Sequence, residues 1–417
     1  MDNKLICRGY QLGSASLLRV KPIEKQDTLV GAGCVSMVGP AIEARGLSKV
    51  LIITTAGTVK RGMLDNLIEG LTQAGISHVI YDGVVPDPDI ECVEGAVTAY
   101  REGQCDGIIA VGGGSAMDCA KVCGARVVRP RMKISRMAGL LKVRRKLPYF
   151  VAIPTTAGTG SEITAAAVIT DRSQEPARKF TVMDFTLVPD MAVLDPDLTM
   201  NLPISITAET GMDAFTHAIE AYTNRYSSKK MNKYALEALQ LINENLVDVV
   251  KWDEGTDQVV EVAGEEETHR ALEMARENLL MGSYCAGIAF TNAYVGYVHA
   301  IAHAVGALYH IPHGRACAII LPYVLEAYGK AIDVPMARIS ETLRIKVWGS
   351  DSAKRDAVID HIRKMNSQLG IPDKISQLTD ADVDLIAARA AKEANPGYPV
   401  PVIFTRGQIA EIVRRMI

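Results

Sequence analysis

Four of the chain's eight histidines fall between residues 299 and 313. His299 and His303 stand four apart in a helical pattern, so both project from one face a turn apart. His313 follows Tyr309 and Pro312, in a stretch that reads as a loop folding back. Upstream, Asp213 and His217 share the same four-residue spacing within Gly211-Met212-Asp213-Ala214-Phe215-Thr216-His217. A carboxylate and imidazoles carried on two helices can converge on one cation. Taken singly, each of these residues reads equally well as a core or surface side chain. Taken together, among Ala, Val and Ile, they form a polar cluster that needs a partner, which a metal ion supplies. One carboxylate and three imidazoles suit Fe(II), Zn(II), Mn(II), Co(II) or Ni(II) without separating them. No His-Glu-x-x-His occurs, so the glutamate base of a metal-dependent hydrolase is missing.

A second chemistry is offered by Gly112-Gly113-Gly114-Ser115, which joins a buried strand to a helix. Its backbone can approach a pyrophosphate closely, and the helix start favours an anion. It is not a Gly-x-Gly-x-x-Gly fingerprint, and an ordinary tight turn remains the other reading. The stretch Pro154-Thr155-Thr156-Ala157-Gly158-Thr159-Gly160-Ser161-Glu162 also follows a strand. It offers hydroxyls for ribose and phosphate, or simply a polar turn.

The elements that must position these residues differ between the two halves. Short β-type runs at Lys49–Thr54, His78–Asp82, Asp106–Val111, Phe150–Ile153 and Met191–Leu194 alternate with helical runs at Lys60–Ala74, Val93–Glu102 and Ala116–Arg126. This predicts a parallel, Rossmann-like α/β sheet, with ligands at the carboxyl ends of its strands. From Thr207 onward long helical patterns dominate: Glu209–Thr223, Met231–Val250, Glu265–Ala286 and Val298–Tyr309. We therefore expect an α/β dinucleotide-binding domain over residues 1–203 and an all-α, metal-binding domain over 204–417.

The 417 residues balance 45 Lys+Arg against 48 Asp+Glu, which gives no general reason to expect binding to nucleic acid or an anionic membrane. No signal-peptide pattern or membrane-length apolar run is present. The eight cysteines (7, 34, 92, 105, 119, 123, 285, 317) lie scattered in apolar contexts and read as reduced core thiols of a cytoplasmic protein. Residues 121–146 hold ten basic side chains and no acid. They read as a solvated connection or as a basic rim for phosphate-bearing ligands.

The motifs DGIIAVGGGSAMDCAK (106–121), IPTTAGTGSEIT (153–164), DPDLTMNLP (195–203), GMDAFTHAIEAY (211–222) and GIAFTNAYVGYVHAIAHAVGALYHIPHG (287–314) occur in this order. Together they resemble the iron-containing (group III) alcohol dehydrogenase family. The resemblance runs from about Leu29 to about Tyr323 and implies the same two domains. It implies metal ligands at Asp213, His217, His299 and His313, with Fe(II) the ion and Zn(II) the alternative. His303 then faces nicotinamide and substrate, where an imidazole can serve as a proton relay. For NAD or NADP it implies contacts from Thr55, Gly113, Gly114, Ser115, Asp118, Thr155, Thr156, Thr159 and Lys179. It implies hydride transfer between the dinucleotide and a small alcohol or aldehyde, and a homo-oligomer, dimeric or larger.

Two departures from the family matter. Members that prefer NAD often carry an acid after the strand at 49–54, where this chain has Thr55, so nothing there repels the 2′-phosphate of NADP. The C-terminal stretch NPGYPVPVIFTRGQ (395–408) lacks the usual ending. Phe290, Tyr297 and Tyr309 read as pocket lining or as core. A lyase similar to dehydroquinate synthase, also metal- and NAD-dependent, is the rival reading, and GMDAFTH with IPHG favours the dehydrogenases.

Overall fold

The computed structural model describes residues 4–20, 23, 26–173, 177–253 and 265–417. The chain divides into two compact units: residues 23–202, and residues 203–417 together with the segment before residue 23.

In the first unit six strands form one sheet: β1 (Asp27–Val30), β2 (Lys49–Ile53), β3 (Ser77–Tyr81), β4 (Gly107–Gly112), β6 (Tyr149–Pro154) and β9 (Met191–Leu194). Their order is β1-β9-β6-β4-β2-β3 and every pairing is parallel. The expected α/β architecture is therefore present. Alternate residues serve opposite faces. Val50, Ile52, Ile109, Val111, Val151 and Ile153 pack with helices α2 (Val38–Glu43) and α4 (Asp65–Gln73). Leu51, Ile53, Ile108, Ala110, Phe150 and Ala152 pack with α5 (Ile90–Glu102) and α6 (Gly114–Val128). Burial on both faces is why the strands read as unbroken apolar runs.

Two details differ from the sequence expectation. The single helix expected over Lys60–Ala74 is two, α3 (Ala56–Lys60) and α4, because Gly62 takes a left-handed backbone (φ +69°) between them. A second sheet, unexpected from the sequence, contains β5 (Gly139–Leu140), β8 (Arg178–Met183) and β7 (Ala166–Asp171), with β7 and β8 antiparallel. It caps the α5/α6 core with Ala167, Ile169, Phe180 and Val182.

The second unit is helical, as expected: α1 (Lys4–Val20), α7 (Ile204–Thr223), α8 (Lys229–Asp253), α9 (Glu265–Ala293), α10 (Tyr297–Tyr309), α11 (His313–Tyr328), α12 (Asp333–Thr342), α13 (Asp351–Gln368), α14 (Asp380–Ala394) and α15 (Arg406–Arg414). The first helix departs from the expected division at 1–203, for it belongs to this unit. Arg8 donates to the carbonyl oxygens of Val400 (2.7 Å) and Pro401 (3.0 Å), and Gln11 to that of Tyr398 (2.6 Å). No helix among the described residues is long and apolar enough to cross a membrane.

Candidate metal and dinucleotide sites

On α7, Asp213, His217 and Glu220 recur at i, i+4 and i+7 and share one buried face. Helix α10 carries His299 and His303. His313 lies not in a loop but in the first position of α11, after the N-cap Pro312. The proline cannot continue α10 and presets the backbone for a new helix, which is why the turn ends there. Helix α11 can approach α7 because residue 314 is glycine: a Cβ there would lie 2.1 Å from the Glu209 carbonyl oxygen.

These helices bring donor atoms to one point. Asp213 Oδ1 stands 3.6 Å from His299 Nε2 and 3.5 Å from His313 Nε2. Asp213 Oδ1 and His299 Nε2 are buried without a hydrogen-bond partner. Left so, each costs about 1–3 kcal/mol. Ligand atoms bound at about 2.0–2.2 Å around a tetrahedral ion lie roughly 3.3–3.6 Å apart. The residues therefore fit a divalent cation. Among the described residues, the donors that all fall within 4.8 Å of one another belong to Asp213, His299, His313 and Cys317. His217 stands beside this set, its ring stacked on His299 (centroids 4.4 Å apart) and on Phe290 (4.1 Å).

The protonation states follow from the packing. Burial pushes Asp213 up, but the imidazoles of His217, His313 and His299 outweigh it and hold the carboxyl well below its usual range. Burial holds His313 down at about 4, leaving a neutral ring. His299 goes the other way. Burial would lower it, but Cys317, Asp213 and Glu220 raise it well above the usual imidazole value, so a cation bound at Nε2 would displace that proton. Glu220 Oε2 lies 2.6 Å from His299 Nδ1, and the same carboxylate accepts from the backbone N–H groups of Gly296 (2.7 Å) and Val298 (2.8 Å). Glu220 thus fixes the ring with Nε2 facing the donors.

His303 is half exposed and stacks on His313 with centroids 5.0 Å apart. Its Nδ1 lies 2.7 Å from Glu393 Oε1, which also accepts from the Tyr398 hydroxyl at 2.9 Å. Tyr297 is core, donating to Asn395 (2.9 Å) and accepting from the Phe404 N–H (3.0 Å). Tyr309 donates to Asp382 at 2.7 Å.

In the α/β unit, the glycine stretch ends β4 and starts α6, with Gly113 as N-cap. The second turn ends the neighbouring β6, and Thr155 N–H donates to the Gly112 carbonyl at 3.1 Å. Thr156 and Thr159 crowd the glycines: a Cβ on Gly113 would meet Thr156 Oγ1 at 3.4 Å, and one on Gly114 would meet Thr159 Cγ2 at 3.1 Å. Thr55, just past the end of β2, caps α3 by accepting from Thr58 N–H at 3.2 Å. Chain direction across the sheet reverses between β2 and β4, the position where open α/β sheets bind ligands.

Three basic or acidic residues make contacts that the sequence did not suggest. Asp118 accepts from Ser161 Oγ (3.0 Å) and from Val168 N–H (2.8 Å), and so braces the second turn. Lys121 is no part of a basic rim. It is fully buried and donates to Ser161 Oγ (2.8 Å), Thr164 Oγ1 (2.8 Å) and the Ala166 carbonyl (2.9 Å). Lys179 lies on β8 of the small sheet, its ammonium 2.7 Å from the exposed Asp87 carboxylate. Part of the loop before it lies outside the described residues.

Residues 25–196 match the model of iron-containing alcohol dehydrogenases, and residues 207–417 match that of the family's C-terminal domain. The chain belongs to the iron-containing alcohol dehydrogenase family. A 1,3-propanediol dehydrogenase of Klebsiella pneumoniae is 34% identical over 92% of this chain and 95% of its own length. An NADPH-dependent butanol dehydrogenase of Clostridium saccharobutylicum is 34% identical over 84% of this chain and 87% of its own. The crystal structure of a 1,3-propanediol oxidoreductase superposes with a TM-score of 0.85 at 32% identity, covering 94% of this chain and 98% of its own. As a member of the iron-containing alcohol dehydrogenases, the chain is an oxidoreductase of small alcohols and aldehydes that uses a divalent metal and NAD or NADP.

Sequence reasoning passed over Glu220 and Glu393 and read Cys317 as a core thiol. Two of these carried a signal: Glu220 continues the Asp213/His217 face, and Cys317 follows His313 by one turn. Glu393 lies ninety residues from His303 and carried none.

Proposed function

We propose that this alcohol dehydrogenase holds its cation through Asp213, His217, His299 and His313. The carrying observation is the pair of buried, unpartnered atoms Asp213 Oδ1 and His299 Nε2 at ligand spacing from each other and from His313 Nε2. The His217 ring, stacked on His299, completes the carboxylate and three imidazoles. When bound, the cation supplies Lewis acidity at the substrate oxygen and the dinucleotide gives or takes the hydride.

The chain's own residues do the rest. Gly113, Gly114 and Ser115, at the start of α6, bind the pyrophosphate through backbone N–H groups and the seryl hydroxyl. Thr155, Thr156 and Thr159 bind along the dinucleotide beside them. Thr55 places no carboxylate against the adenosine ribose, so a 2′-phosphate is accepted and NADP is the favoured form. Lys179 contacts the dinucleotide only if it leaves Asp87, and Asp118 serves by bracing Ser161. His303 moves the proton between the substrate hydroxyl and solvent; its ring is half exposed, and Glu393 holds it through Nδ1. The similar propanediol and butanol dehydrogenases favour a short-chain alcohol or diol as substrate. Eight free cysteines support a reducing, cytoplasmic setting, and we propose a homo-oligomer.

The test is a panel of short-chain aldehydes with NADH and NADPH, run on protein of measured iron and zinc content. Loss of reduced-nicotinamide absorbance, faster with NADPH and abolished with metal binding in Asp213→Ala, is the expected outcome. No absorbance change with any aldehyde would favour the lyase reading, and unaltered metal binding in Asp213→Ala would remove the ligand assignment.

A further inference from the structure

We propose that Cys317 supplies a thiolate donor to the same cation, making the site a mixed oxygen, nitrogen and sulfur set. This rests on the metal assignment above and adds to it a residue that the ligand pattern of a carboxylate and three imidazoles does not include.

The geometry points to the thiol in three ways. Cys317 follows His313 by one turn of α11, so both side chains leave the same helix face. Its Sγ lies 3.7 Å from His313 Nε2. A sulfur bound at about 2.3 Å and a nitrogen at about 2.0 Å to one ion stand roughly 3.0–3.5 Å apart at the usual angles between neighbouring ligands. Its Sγ also joins Asp213, His299 and His313 in the donor set that fits within 4.8 Å. The partnerless Asp213 Oδ1 and His299 Nε2 open into the same space, so the thiol does not stand alone.

Cys317 is itself buried and is flanked on α11 by the buried, apolar Ala316, Ala318 and Ile319, so the donor groups named above are the polar neighbours of its thiol. Binding breaks the S–H bond, forms the metal–sulfur bond and releases the proton to solvent, with no change of oxidation state. A soft donor in the set shifts preference toward zinc, cobalt and iron and away from magnesium and manganese.

The experiment replaces the native ion with Co(II) in the full-length protein and records its absorption spectrum. Wild type should show visible ligand-field bands and, in the near ultraviolet, a sulfur-to-cobalt charge-transfer band. Cys317→Ser should keep the former and lose the latter. In weakly buffered solution it should also release one fewer proton on binding zinc, with zinc affinity at least about tenfold weaker, since loss of even a supporting partner costs about 10–100-fold. The wild-type spectrum decides the matter even if the variant misfolds. Ligand-field bands without charge transfer would overturn the thiolate and leave the metal site standing. Absence of both bands would overturn the metal assignment together with this one.

Discussion

The Glu220 carboxylate binds three donors: the His299 ring and the first backbone N–H groups of α10. One buried side chain therefore sets both the start of the helix and the direction of the metal-facing nitrogen. Glu220→Gln keeps the shape and removes the charge. We expect a metal affinity about 10–100-fold weaker with the fold retained, read by chelator competition and circular dichroism. A second buried acid makes a pH prediction. Burial lifts Glu162 from the usual 4.5 to about 7, against the pull of its own backbone N–H and of Lys121. Between those values the folded chain holds a proton that the unfolded chain has lost, so stability falls as pH rises through that window and then levels off. Lys121 is pushed by burial from 10.5 down to about 8, so between about 8 and 10.5 the unfolded chain binds the extra proton and stability recovers with pH. Urea midpoints measured across the lower window should fall for wild type relative to Glu162→Gln. A gap that stays constant with pH would contradict the assignment.

At the scale of elements, the metal site depends on how closely α11 meets α7. Backbone contact at Gly314 sets that distance, and Asp213 and His313 meet because of it. Gly314→Ala forces a Cβ to 2.1 Å from the Glu209 carbonyl, so one helix must move. We expect a loss of about 1–3 kcal/mol, as for other overpacked contacts, with metal binding weakened alongside. Thermal melts with and without metal read both. If Gly314→Ala matches wild type in both, the close approach does not matter. The glycine turn of the α/β unit is a different kind of element. There β4 and β6 run in register and end together at Gly112 and Pro154, so two loops far apart in sequence meet at one end of the sheet.

At the scale of the whole molecule, the helical unit is built from both ends of the chain. Helix α1 holds the carbonyl groups of the segment 398–401, next to Tyr398, whose hydroxyl reaches Glu393 and through it His303. Arg8→Ala leaves two carbonyl groups without their donor. We expect a cost of about 1–3 kcal/mol, seen as faster hydrogen exchange over residues 395–405, while the α/β unit exchanges as in wild type. Unchanged exchange in the C-terminal segment would show that α1 is dispensable there.

The sequence alone determined what depends on local order. Apolar runs between turn residues marked the strands of the parallel sheet, and helical spacing placed Asp213 with His217 and His299 with His303. The motif order identified the family, whose two-domain architecture followed. What the sequence left open was set by contacts between distant segments. In β7 the less buried positions are Ala166 and Val168, and Ile169, Thr170 and Asp171 are buried in a row, so no polar rhythm announced the β7–β8 pair. The N-terminal residues counted with the first domain because sequence order says nothing about which core a segment joins. Lys121 read as part of a basic connection, but the turn at 161–168 closes over it and also engages Asp118. The divalent site sharpened in the same way. Asp213, His299 and His313 were legible as a set of types, but only packing of α7, α10 and α11 showed Glu220 behind the ring and Cys317 beside it. A donor's identity is written in the sequence; whether its atom lies within reach of a cation depends on ångström-scale distances that only the packed helices fix.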